Sequence, residues 1–110
     1  MKGKIILIPF PFTDLSSSKR RPALVILERK HDIVVVFISS IMPDVLSECM
    51  IVVDKTHPEF PQTGLKRDSV FYLDKITTVS KDLIVGEMGK IGKRIKKHFN
   101  RRFTKLYRMK

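Results

Sequence analysis

The sequence has little from which to build cross-links. It contains one cysteine, Cys49, so it can form neither an internal disulfide nor a cysteine-rich zinc site. Its three histidines, His31, His57 and His98, stand far apart and show no metal-ligand spacing, so no metal and no other cofactor is expected. Long hydrophobic runs are also missing. The longest uncharged apolar stretch, about Ile5 to Phe12, is interrupted by Pro9 and Pro11, whereas a membrane-spanning helix needs roughly 20 apolar residues. Met1-Lys2-Gly3-Lys4 carries the charge of a signal segment, but neither an apolar core nor a small-residue cleavage site follows it. The expectation is a cytoplasmic protein with no membrane partner.

Acid is missing from one region only. The 110 residues hold 22 Lys+Arg against 11 Asp+Glu, a formal charge of +11. Ten of those cations lie between Lys90 and Lys110, where there is no acid. The other twelve share residues 1–89 with all eleven acids, so the body is nearly neutral. Such an imbalance predicts an anionic partner and says nothing about fold.

What is present reads as one mainly β domain. Short β-branched runs recur at Lys4–Ile8, Ala23–Leu27, Ile33–Ile38, Met50–Val53, Ser69–Leu73 and Leu83–Val85. Turn-forming clusters separate them, including Thr13–Ser18, Pro43-Asp44 and His57–Gly64. Many short strands at this spacing predict a small barrel or sandwich of six or seven strands. Ala23–Leu27 and Ile33–Ile38 are apolar throughout, as for strands covered on both faces. In so short a chain the second cover is expected from a partner subunit. Pro43 to Cys49 is expected to form a short helical turn, with Pro43 at its start.

After Gly92 the period changes. Ile95, Phe99, Phe103, Leu106 and Tyr107 make one stripe of an α-helix, and the basic residues occupy its other faces. The expected organisation is a barrel over residues 1–92 and a basic amphipathic helix over 93–110 packed on the same domain.

The most unusual stretch is Pro9-Phe10-Pro11-Phe12-Thr13-Asp14-Leu15-Ser16-Ser17-Ser18-Lys19-Arg20-Arg21-Pro22. Pro22 restricts Arg21 toward extended backbone at a strand start. A guanidinium held there can make a bidentate contact to phosphate. From pattern alone the stretch also reads as a polar loop with solvated charges.

Three ordered blocks carry a family resemblance. Lys2-Gly3-Lys4-Ile5-Ile6-Leu7-Ile8-Pro9-Phe10-Pro11-Phe12-Thr13-Asp14, with Ser16–Ser18 and Arg21-Pro22-Ala23-Leu24-Val25-Ile26, is the first. Gly64-Leu65-Lys66-Arg67-Asp68-Ser69-Val70 with Leu73-Asp74-Lys75-Ile76 and Thr78-Val79 is the second. Gly89-Lys90-Ile91-Gly92-Lys93 is the third. Together they resemble the MazF/PemK family of toxins from type II toxin–antitoxin pairs, over about residues 2–93.

That resemblance implies a small SH3-like barrel with a C-terminal α-helix, a homodimer, and a cognate antitoxin, expected to be acidic where it binds. It implies a metal-independent endoribonuclease acting on single-stranded RNA. Arg21 matches the family's catalytic Arg before Pro, Ser39 its hydroxyl residue at the end of the third strand, and Asp74 an acidic residue of some members. The Pro9–Arg20 loop matches the substrate-covering loop. Phe12, Thr13, Ser17, Lys19, Arg20, His57, Lys66, Ser69 and Tyr72 are the expected substrate-binding residues. The chain departs from the pattern where some members carry a second Arg, here Tyr72, and a Gln, here Ile41. The first loop has no histidine, which leaves His57 as the available one.

In chemical terms Arg21 could stabilise phosphorane charge, Ser39 could bond a non-bridging oxygen, and Asp74 could act as base or orient Arg21. Two alternatives stay open. One is a non-catalytic, basic nucleic-acid-binding barrel. The other is a gyrase-poison-like toxin of the same fold, though such relatives depend on a Trp-Gly-Ile-type end, and this chain has no Trp.

Overall fold

The structure, a computed structural model, describes residues 1–9 and 19–110. Six strands form one sheet among the described residues: β1 (Lys4–Pro9), β2 (Arg20–Glu28), β3 (Asp32–Ser39), β4 (Met50–Val53), β5 (Ser69–Ser80) and β6 (Gly86–Lys90). A short helix α1 (Phe60–Thr63) lies between β4 and β5, and a longer one, α2 (Lys93–Tyr107), follows β6. The strand order is β4-β5-β3-β2-β1-β6, with every neighbouring pair antiparallel. The result is a mainly β half-barrel carrying a C-terminal helix. Register shifts at Ile5/Ile6, Val25/Leu27 and Val36/Phe37 mark the bulges that bend it.

Strand alternation divides the apolar residues between two faces. Ile5, Leu24, Val36, Ile38, Ile51, Val53, Phe71 and Leu73 point to one face, where Phe60 of α1 and Ile95 and Phe99 of α2 complete a buried cluster. Phe103 and Leu106 pack on its margin. The Tyr107 hydroxyl donates to the Leu73 carbonyl. The other face holds Ile6, Ile8, Ala23, Val25, Ile33, Val35 and Val79, with Met1, Phe37 and Ile84 against them. These side chains are already buried within the single chain. The second cover that the apolar runs were expected to take from a partner is thus present within the chain itself.

Three expectations need correction. Pro43–Cys49 is not helical. There the Ser47 hydroxyl accepts from the Cys49 N–H at 3.2 Å, and the Ser47 carbonyl accepts from the Met50 N–H at 3.1 Å. A serine turn of this kind competes with helix, and no apolar partner rewards one, since Val45 and Leu46 are exposed. The short helix forms instead at Phe60–Thr63, inside the His57–Gly64 stretch read as a turn. Pro61 sits in its first turn and left-handed Gly64 (φ 73°) ends it.

The last strand is Gly86–Lys90 rather than Leu83–Val85. Its glycine content follows from a close backbone approach. A Cβ on Gly89 would come within 2.3 Å of the Gln62 carbonyl oxygen, and one on Gly64 within 1.9 Å of the Met88 carbonyl oxygen. Lys81–Leu83 forms a single 3-10 turn capped by the Ser80 hydroxyl.

Helix α2 starts after Gly92, which has no side chain to cap it. Glu59 does so from a distance. Its two carboxylate oxygens accept from the Arg94 and Ile95 N–H groups at 3.0 and 2.9 Å. These bonds, the Arg94 N–H first, hold the Glu59 carboxyl below its ordinary pKa. Farther along, the Arg102 guanidinium donates to the Glu48 and Met50 carbonyls and ties α2 to the start of β4.

Candidate functional site

One end of the sheet gathers the end of β1, the start of β2, the end of β3, the end of β4 and the start of β5. Arg21 pairs with Ile8 across β1. On the other side, Ala23 pairs with Phe37, so the same register continued by two residues sets Arg21 across from Ser39. Ser39 in turn pairs with Val70. Ile8, Arg21, Ser39 and Val70 therefore form one row on the face opposite α2. The next row holds Ile6, Ala23, Phe37, Tyr72 and Met50.

The polar groups of that first row are held in different ways. Arg21 is half-buried, and its buried Nε has no hydrogen-bond partner among the described residues. A buried guanidinium N–H without an acceptor is costly. Ser39 is buried, and its Oγ accepts from the Ile41 N–H at 3.1 Å. That bond fixes the hydroxyl and leaves its proton free to donate. The two groups stand on adjacent strands, each two residues beyond the Ala23–Phe37 pair, so that one anionic oxygen-rich group at this end of the sheet could meet both.

Tyr72 lies on the same face, its ring 5.8 Å from that of Phe37. The Lys75 ammonium sits over both rings, 4.5 Å from the Tyr72 centroid and 5.6 Å from the Phe37 centroid. Such stacking is a weak but directional cation–π attraction. Sequence reasoning assigned no role to Phe37 or Lys75. The bulge between the Val36–Ile76 and Phe37–Tyr72 pairs brings Lys75 over the rings, and no local residue pattern announces it. Lys19 is exposed just before β2, and exposed Arg20, next to Arg21 on the strand, alternates onto the α2 face. Lys66 is exposed in the loop before β5. Phe12, Thr13 and Ser17 lie outside the described residues.

Three expected site residues are elsewhere. Asp74 is exposed in the β5 bulge, two strands away from Arg21 and four residues beyond the row. That is about 10 Å across and on the order of 10 Å along the sheet, too far for an ion pair with Arg21. Its charge reaches Tyr107, whose phenol is pushed up by burial and then by Asp74. Asp74 therefore does not orient Arg21. Ser69 alternates onto the α2 face, where it donates to the Arg67 carbonyl at 2.8 Å. His57 organises the turn before α1: its Nδ1 accepts from the Glu59 N–H at 3.0 Å, and its carbonyl accepts from the Phe60 N–H. It thereby sets the carboxylate that caps α2, away from the Arg21 row.

The α2 side has a different character. A cleft of about 360 Å³ opens there, lined by Leu24, Ile26, Phe99, Phe103, Lys2 and Lys96 among others. Among the described residues no three His, Cys, Asp or Glu side chains cluster closely enough to hold a metal ion. No helix among them is long and apolar enough to cross a membrane.

Residues 1–107 match the family model for the PemK-like, MazF-like toxin of type II toxin–antitoxin systems. No curated protein matches the chain in sequence. Among solved structures, the Mycobacterium tuberculosis toxin MazF-mt6 superposes with a TM-score of 0.72 at 14% identity, over 97% of this chain and 98% of that one. A mycobacterial endoribonuclease in complex with its cognate antitoxin gives 0.69 at 14% identity, over 96% and 91%. A further mycobacterial endoribonuclease gives 0.66 at 15% identity, over 96% and 88%. At these identities the likeness is one of fold.

Proposed function

The chain belongs to the PemK-like, MazF-like toxin family of type II toxin–antitoxin systems, and from that premise we propose that it is a toxin that cleaves single-stranded RNA without a metal. The observation that carries this reading is the placement of Arg21 and Ser39 at one end of the neighbouring strands β2 and β3: a half-buried guanidinium whose Nε has no partner among the described residues, and a hydroxyl fixed by the Ile41 N–H. Two of the folds it resembles are those of endoribonucleases.

The reaction suits such a pair. The RNA 2′-oxygen attacks the adjacent phosphorus, the bond to the 5′-oxygen breaks, and the products are a cyclic phosphate and a free 5′-hydroxyl. One proton leaves the 2′-hydroxyl and one reaches the leaving oxygen. Arg21 stabilises the charge that gathers on the phosphorane, and Ser39 donates to a non-bridging oxygen. Arg21 stays protonated throughout, so its role is electrostatic. No step is assigned to Asp74. Tyr72, Lys75 and Phe37 make the neighbouring platform, and Lys19 and Lys66 supply positive charge around it.

The β3–β4 loop supports an assembly at the same end. Directly after Ser39, Ile41, Met42, Val45 and Leu46 are all exposed, Val45 at 79%. Apolar side chains grouped this way mark a protein contact. We assign that contact to a second copy of the chain in a homodimer and to an antitoxin whose acidic segment covers Lys19, Arg20 and Arg21. One solved neighbour is bound to its cognate antitoxin.

The test is cleavage of a long RNA in EDTA by the protein and by Arg21→Ala. The wild type cuts, and the variant is slower by about 10²–10³. Equal rates would end this reading. Mapping the cut ends on the same transcript identifies the recognised sequence.

A further inference from the structure

Helix α2 presents a surface that the Arg21 site does not use. Its apolar stripe is spent inside the chain: Ile95 and Phe99 are buried, and Phe103 and Leu106 pack against the core. Phe103 also stacks with Phe99 and Tyr107. The outer side carries Lys93, Lys97, Arg101 and Lys105 at i, i+4, i+8 and i+12, all exposed. The helix rises 1.5 Å per residue, so these cations follow one another at about 6 Å along about 18 Å of surface. Arg94 flanks the row, and exposed Arg108 and Lys110 extend it past the helix end.

None of these cations makes an ion pair among the described residues, where the ion pairs engage Met1, Lys4, Arg29 and Lys81 instead. The helix contains no acid to neutralise them. Their field is felt by His98 on the same helix, whose imidazolium is disfavoured by partial burial and then by Arg102 and Arg101.

We infer that the outer face of α2 docks the phosphate backbone of a nucleic-acid duplex, such as a structured segment of RNA, at a site separate from Arg21 and Ser39. Three features choose this partner. An anionic membrane would attract the same charges, but stable anchoring takes a second, apolar signal, and Ile95 and Phe99 of the α2 stripe are buried. Protein hot spots are built on Trp, Tyr and Arg seated in well-packed, desolvated pockets, and the outer face is convex, carries no Trp or Tyr and offers Lys, Arg, His98, Asn100 and Thr104. Single-stranded RNA is held by base stacking on aromatics, and Phe99 and Phe103 lie on the packed side of α2, where the hydroxyl of half-exposed Tyr107 is also tied to the Leu73 carbonyl. What remains is a row of point charges on a convex helix, which suits a regular row of phosphates read without sequence. The inference is independent of whether Arg21 cleaves RNA.

The experiment is binding of a short, blunt RNA duplex to the full chain, followed by anisotropy across a salt series. If the row makes four phosphate contacts, the log–log salt slope is about −3 to −4. In Lys97→Gln/Arg101→Gln/Lys105→Gln the affinity at low salt falls at least about tenfold and the slope flattens by about 2 to 3. A thermal melt of each protein controls for folding. Lys97→Arg/Lys105→Arg keeps the charge and keeps the binding. Wild-type slope and affinity in the folded Gln variant would overturn the inference. So would salt-insensitive binding, equal competition by poly-glutamate of the same charge, or flotation on phosphatidylserine vesicles in place of duplex binding.

Discussion

The two faces of this sheet use positive charge in opposite ways. On one, Arg21 is half-buried, extended by Pro22 and set across from a serine whose hydroxyl is itself fixed by a backbone N–H. On the other, α2 displays a row of exposed lysines and arginines that make no ion pair among the described residues. The first arrangement is suited to chemistry, because transition-state stabilisation depends on placement to within a fraction of an ångström. The second is suited to adhesion, because counterion release needs charge density and little geometry. The net charge of +11 is therefore a poor guide to the site: most of the excess lies on the face away from it.

That contrast can be broken by mutation, and the largest effect belongs to the placed charge. Arg21→Ala should lower the RNA cleavage rate by about 10²–10³. Arg21→Lys keeps the charge but loses the fork, and should recover only part of that rate. Ser39→Ala, which also removes the acceptor for the Ile41 N–H, should slow cleavage by about tenfold or more under single-turnover conditions. Neutralising three cations of α2, by contrast, should show itself as the tenfold loss of duplex affinity described above.

A smaller effect sharpens how α2 is held. Glu59→Ala removes the acceptor for two helix N–H groups, and loss of such a cap should lower Tm by a few degrees. Glu59→Gln retains one acceptor and should lie between. Because bonding to Arg94 and Ile95 lowers the Glu59 pKa, this support is full above the ordinary carboxylate range and fades as the pH falls below it. The smallest effect should come from Glu28, which accepts from Lys81 and from the N-terminal ammonium and is lowered from 4.5 to about 2. Its contribution is present above about pH 4.5 and lost as the pH approaches 2. Acid melts of Glu28→Gln should be slightly flatter over that window than those of the wild type. The pair is exposed, so the difference should be slight.

Much of this was legible in the sequence, and the limits have physical causes. The cores of β1, β2 and β3 follow from β-branched runs, and α2 from a stripe at helical period. Arg21 could be picked out because Pro22 restricts it locally, whereas Ser39 was expected only from the family resemblance. β6 escaped because Gly64 and Gly89 are required by the approach of two backbones, a demand that outweighs strand propensity. Lys75 escaped because a bulge decides which rings it covers. Asp74, His57 and Ser69 were expected at the site on motif position. A bulge, a turn and strand alternation send them elsewhere, and each of those depends on pairing between distant segments.

The most direct test of the division into two faces is one variant measured twice. Arg21→Ala is assayed for cleavage of a single-stranded RNA in EDTA and for binding of the blunt RNA duplex across a salt series. Cleavage should fall by about 10²–10³, while duplex affinity and its salt slope keep their wild-type values. Loss of duplex binding together with cleavage would mean that one surface does both, and would contradict the account.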